Sequence, residues 1–166
     1  MSGFGASLRK IESNRANRRS IHSPPQFDSI MTPEQIALVQ GSWQQVASMG
    51  DKAIELFYAR LFEVEPQLRS MFPQEMTEQN RKVAAMLNTI VTKLQRPDEL
   101  IPMAQTLARR HVAYGVKNEH YAPVGAALLH TLGAGLGDAF TDDVKDAWIA
   151  AYTTLSAVMT DAAATA

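Results

Sequence analysis

The chain has 166 residues, 46% of them hydrophobic and 7% aromatic, enough for one domain with a substantial core. Its net charge of -1 argues against nucleic acid as a partner, and no run of about 18 apolar residues marks a membrane span. The absence of cysteine excludes disulfides, thiolate metal sites, iron–sulfur clusters and a cysteine nucleophile, leaving histidine as the soft ligand for a transition metal.

Residues 1–31 carry Arg9, Lys10, Arg15, Arg18 and Arg19 against Glu12 and Asp28, and are rich in Ser, Asn, Gly and Pro. With no apolar h-region, this stretch is expected to be a flexible basic N-terminal extension and not a secretory signal. The sequence 32–166 is expected to form the folded domain, and a cytoplasmic location is expected for the whole.

From Thr32 onward the punctuation is helical. Thr32-Pro33-Glu34-Gln35 reads as a capping box with proline at the first helical position, followed by Ile36, Val39, Trp43 and Val46 on one face. Met49-Gly50-Asp51 ends this helix and caps a second over Asp51 to Glu65, stopped by Pro66, which starts a short turn reaching Met71-Phe72-Pro73. Thr77 is expected to cap a long helix to about Gln95, and Asp98 one carrying Leu100 to Val112, with Pro102 confined to its first turn. Tyr114-Gly115-Val116 reads as a turn, Asn118 as the cap of a helix ended by Gly133, Gly135 and Gly137, and Thr141 as the start of the last helix, whose inner stripe is Trp148, Tyr152, Leu155 and Met159. No segment sustains strand alternation, so the predicted class is all-α, with helices packed at steep angles around a pocket.

Three polar side chains interrupt otherwise apolar faces. His111 continues the stripe Leu100, Ala104, Leu107; Gln79 opens the stripe Val83, Met86, Leu87, Ile90, Leu94; Tyr58 stands among Ile54, Leu61 and Phe62. Burying an unpaired polar group costs on the order of 1 to 3 kcal/mol, so each needs a local hydrogen-bond partner or a ligand. Three such groups on three separate faces are better explained by one shared polar object inside a helical protein. The four histidines (His22, His111, His120, His130) form no HxxxH pair, and HExxH, GxGxxG, Walker and GxSxG motifs are all absent.

The runs Leu107-Ala108-Arg109-Arg110-His111-Val112-Ala113-Tyr114-Gly115-Val116 and Glu119-His120-Tyr121-Ala122-Pro123-Val124-Gly125 resemble the proximal region of bacterial haemoglobins. Ser42-Trp43, Phe57-Tyr58, Pro66, Phe72, Gln79-Asn80-Arg81-Lys82 and Trp148 extend the likeness over Thr32 to Ala163. It is similar to single-domain bacterial haemoglobins, the haem domains of flavohaemoglobins and the Hell's Gate globin group. The resemblance implies a globin fold of about seven helices over residues 32–166, around haem b (iron protoporphyrin IX). It makes His111 the iron ligand, with Phe72 packed on the porphyrin face and Tyr58 and Gln79 as the distal pair that stabilises bound dioxygen. Val83 would crowd the ligand site, Lys82 or Arg81 would meet a propionate, and Phe57, Leu107, Val116, Tyr121 and Val124 would complete the pocket. His120 and His130 would lie on the surface or the propionate side.

With no distal histidine an open sixth site is expected, and the Tyr58 and Gln79 donors imply slow oxygen release and high affinity. Nitric oxide and carbon monoxide are further expected ligands, and a monomer or weak homodimer the expected assembly. One departure concerns the tyrosine and glutamate that flavohaemoglobins arrange behind the proximal histidine. Tyr121 fits the tyrosine, but Ala163 stands where the glutamate should be, with Asp161 two residues earlier. The resemblance allows three uses: reversible oxygen binding, nitric oxide dioxygenase chemistry served by a separate reductase, and gas sensing.

Overall fold

A computed structural model describes residues 31–165, and among them there are six α-helices and no strand. The helices are α1 (Pro33–Ala47), α2 (Asp51–Val64), α3 (Thr77–Thr92), α4 (Pro97–Ala113), α5 (Tyr121–Leu136) and α6 (Asp142–Ala164). A six-residue 3-10 helix, Pro66–Met71, makes a seventh helical element, and three-residue 3-10 turns follow α3 and flank α5. The basic extension lies outside the described residues except for Met31. That side chain, placed in the extension from the sequence, is 1% exposed and belongs to the core.

The first helix starts as its sequence dictates. Gln35 N donates to Thr32 Oγ1 at 3.1 Å and Thr32 N to Gln35 Oε1 at 3.0 Å, closing the box and satisfying two backbone donors that the helix cannot. Thr141 likewise caps α6 by accepting from Val144 N at 3.3 Å. Other helix starts differ from expectation. Gly50, with φ of +65°, precedes α2 without a side-chain cap. Before α3 it is Glu75 that serves, accepting from both the N–H and the hydroxyl of Thr77, so that hydroxyl is a donor and not a cap. Helix α4 begins at Pro97, so Asp98 lies in its first turn and Pro102 falls inside the helix, not within the first turn. Asn118 opens a 3-10 turn and α5 proper starts at Tyr121.

Of the three glycines expected to end α5, only Gly137 does so, with φ of +55°; Gly133 and Gly135 lie within the helix. Gly125 also lies within it, and a Cβ there would sit 2.6 Å from Cε1 of Tyr152. Gly125→Ala should therefore overpack that contact. The clash, about 1 to 3 kcal/mol, outweighs the helix-propensity gain of about 0.5 to 1 kcal/mol, so thermal unfolding should show a Tm lowered by several degrees. An unchanged Tm would mean that the ring yields.

Helix α6 packs along both α1 and α4, α5 along α2, and α3 on α1 and α2. Two indole donors fasten this frame: Trp148 Nε1 donates to Ser42 Oγ at 2.8 Å, and Trp43 Nε1 to Asn88 Oδ1 at 3.3 Å. The Ser42 hydroxyl in turn donates to Leu38 O at 2.6 Å, so a buried polar chain between α1 and α6 is satisfied throughout. By contrast, α3 and α4 are not packed closely on one another. Their inner apolar side chains, Val83, Met86 and Leu87 on α3 and Met103 and Leu107 on α4, remain half-buried.

Candidate functional site

Tyr58 is 6% exposed on α2 and clamped by three aromatic rings. Phe57 meets it edge-on at 5.1 Å, Phe62 stacks at 5.6 Å and Phe72 meets it edge-on at 5.3 Å between centroids, separations at which such pairs attract. Its phenol oxygen accepts a hydrogen bond from Gln79 Nε2 on α3 at 3.2 Å. Burial pushes the phenol above its ordinary value, against a smaller opposing effect of the Gln79 bond, so it keeps its proton. Because the amide donates into the oxygen, the Tyr58 hydrogen is left to donate elsewhere, and an oxygen that accepts one bond becomes a stronger donor in the next.

Phe72 reaches this cluster from the loop after the 3-10 helix, where Arg69 holds the backbone. Its guanidinium donates to the carbonyls of Phe72 (3.3 Å), Pro73 (2.9 Å) and Gln74 (3.2 Å) and lies 5.4 Å from the Phe62 ring centre. Arg69 and Phe62 were not singled out as site residues in the sequence. The available signal was an arginine three residues before the exposed-loop phenylalanine, a spacing that lets one fork gather successive carbonyls.

His111 lies on the last turn of α4, half-buried. Its Nδ1 stands 2.9 Å from the Leu107 carbonyl, an acceptor, so Nδ1 carries the hydrogen and Nε2 holds the lone pair. Burial lowers the imidazole's basicity, only partly offset by that backbone bond, and keeps it neutral. The turn just beyond is closed by Gly115, with φ of +87°, and by Val116 N donating to the His111 carbonyl at 2.9 Å.

The remaining candidates fall into place around these groups. Val83, Leu107, Val116, Tyr121 and Val124 are all half-buried, while Lys82 is exposed and forms no ion pair among the described residues. Arg81 pairs with Glu78 on the exposed face of α3 at 3.3 Å. His120 accepts from Lys117 N at 3.0 Å and lines a polar cleft of about 510 Å³ between the 3-10 helix and the turn before α5. The structure thus brings Tyr58, Gln79, Phe57 and Phe72 together in one cluster; His111 is held separately, on a helix that α3 does not closely contact.

A neutral imidazole with an open lone pair, a separate phenol–amide donor pair, and half-buried apolar faces between the helices that carry them define an all-α haem-binding class of protein. The globin family model matches residues 55–159, and the chain belongs to the globin family. A flavohemoprotein of Bordetella parapertussis is 35% identical over 126 residues, 74% of this chain and 31% of that protein. The chain spans about a third of the length of the curated relatives it matches. Among solved structures, a bacterial globin of Campylobacter jejuni superposes with TM-score 0.71 at 26% identity, covering 81% of this chain and 97% of that one. An engineered carbene transferase built on a candidate nitric oxide dioxygenase of Rhodothermus marinus superposes with TM-score 0.71 at 25% identity, covering 81% and 94%.

Proposed function

We propose that this chain binds dioxygen reversibly at a haem held by His111, with Tyr58 and Gln79 forming the ligand pocket. The observation that carries this reading is the direction of the Gln79-to-Tyr58 hydrogen bond, which leaves a protonated, ring-clamped phenol with its O–H unspent. When bound, haem would supply an iron able to take up a diatomic ligand. The residues supply the rest. His111 would hold the iron through Nε2, and its Nδ1–H bond to Leu107 fixes the tautomer that makes this possible. Phe72 and the inner faces of α3 and α4 give the flat apolar surfaces that a macrocycle needs, and they exclude water from the ligand. Tyr58 would donate a hydrogen bond to the end of the ligand that gathers negative charge, in a pocket of low polarity where such a bond counts for more than in water. Val83 narrows the space beside it, and Lys82 on the exposed face of α3 is free to meet a propionate.

A nitric oxide dioxygenase is the second reading, favoured by the flavohemoprotein relatives and by the Rhodothermus marinus structure. That chemistry consumes an electron in each cycle, so a reductase must serve it. The proximal side favours the first reading. His111 Nδ1 donates to a backbone carbonyl and not to a carboxylate; Asp161 is exposed, and Ala163 offers no hydrogen-bonding group. An imidazole so placed gains less donor strength than one bonded to an anion. Rapid mixing of the oxygen-equilibrated, haem-loaded protein with nitric oxide and a reductant distinguishes the two. One stoichiometric conversion followed by a stall is the expected result, and rapid multiple turnover would overturn it in favour of the enzyme.

A further inference from the structure

Tyr152, on α6, makes a contact that a packed core ring does not need. Its hydroxyl donates to the backbone carbonyl of Tyr121 at the start of α5, with the Gly125 N–H and the buried Ser156 hydroxyl beside it. That carbonyl belongs to the first turn of α5, so the phenol is inserted into the helix start itself. The close approach depends on Gly125, since any Cβ there would meet the ring at 2.6 Å. Burial, the dominant cause, pushes the Tyr152 phenol up to about 12, so this donor keeps its hydrogen throughout the ordinary pH range. The Tyr121 ring, thus tethered through its own backbone, packs on Ala104, Ala108 and Met159, the same small cluster against which Leu107 packs. Leu107 supplies the carbonyl that holds His111 Nδ1.

We propose that Tyr152 is a positioning residue for the His111 imidazole, pinning the first turn of α5 so that Tyr121 braces the back of α4 where Leu107 orients the ring. This inference rests on the reading of His111 as the axial donor. In place of an anion behind the histidine, the proximal side has a neutral brace built from two tyrosines, one acting through its hydroxyl and the other through its backbone and ring.

The test is the iron–histidine stretching band in resonance Raman spectra of the haem-loaded ferrous protein. Tyr152→Phe removes one hydroxyl and keeps the ring, and should shift and broaden that band. Gly125→Ala, which displaces the ring and leaves the hydroxyl, should also move it, and it serves if Tyr152→Phe does not fold. Ser42→Ala removes a buried hydroxyl bonded to α6 away from this cluster, and should leave the band in place although it too lowers stability. A band in Tyr152→Phe coincident with that of the parent protein, or one moved equally by Ser42→Ala, overturns the inference. Absence of the band from the parent protein overturns the axial assignment instead, so the two failures are distinguishable.

Discussion

Replacement of His111 by alanine is expected to abolish the normal haem complex: the Soret band of the ferrous protein should shift and weaken, and haem should be lost to an acceptor protein far faster than from the parent. Among the described residues no other histidine offers a substitute, since His120 is committed to the Lys117 backbone at a polar cleft and His130 is exposed on α5. Loss of a metal–ligand bond also removes the folding free energy that binding contributes, so the melting temperature of the haem-loaded protein should fall toward that of the apoprotein. Added imidazole should restore ligation in part, because the space of the missing ring remains. Unchanged spectra and haem retention in this variant would remove His111 from the site.

The second large effect is expected at Tyr58. Tyr58→Phe keeps the ring within its three aromatic neighbours and deletes the one oxygen that receives Gln79 and that is proposed to donate to the ligand. A hydrogen bond to a charged group contributes about 1.5 to 3 kcal/mol, which corresponds to oxygen leaving roughly 10 to 150 times faster in stopped-flow displacement by carbon monoxide. Autoxidation should rise as well, since the charge on the ligand is no longer held. Gln79→Leu should give a smaller acceleration, because the amide acts through the phenol. An unaltered off-rate in Tyr58→Phe would exclude the phenol from ligand stabilisation.

The elements most legible in the sequence were those governed by local chemistry. Thr32-Pro33-Glu34-Gln35 and Thr141 cap helices as their residue types require, and the apolar stripes through Trp43, Leu100 and Trp148 are buried. What misled was competition between neighbours. Glu75 engages both donors of Thr77 at the start of α3, Pro97 begins α4 a residue before the aspartate that could have capped it, and Gly133 and Gly135 are tolerated inside α5. For Gly135 the reason is tertiary, since a Cβ there would lie 2.8 Å from the Met49 sulfur. The meeting of Tyr58 with Gln79 was legible as two polar groups on separate stripes, but not the sense of the bond between them, which depends on the relative placement of α2 and α3. The Tyr152–Tyr121 contact was invisible because it falls on a backbone carbonyl, which a sequence does not distinguish, and Arg69 was marked only by its spacing from Phe72.

The amide that feeds the phenol gives the pocket a one-way polarity. The Gln79 amide gives one hydrogen to the phenol oxygen, and the Tyr58 hydroxyl keeps its own hydrogen to give in turn. Such a lining sorts diatomic molecules of nearly equal size by how their electrons are distributed. On the proposed reading it would favour dioxygen, whose outer atom becomes electron-rich on coordination, over carbon monoxide, whose outer atom changes little. Discrimination of this kind would need no steric gate: it would be set by the hydrogen of one clamped hydroxyl.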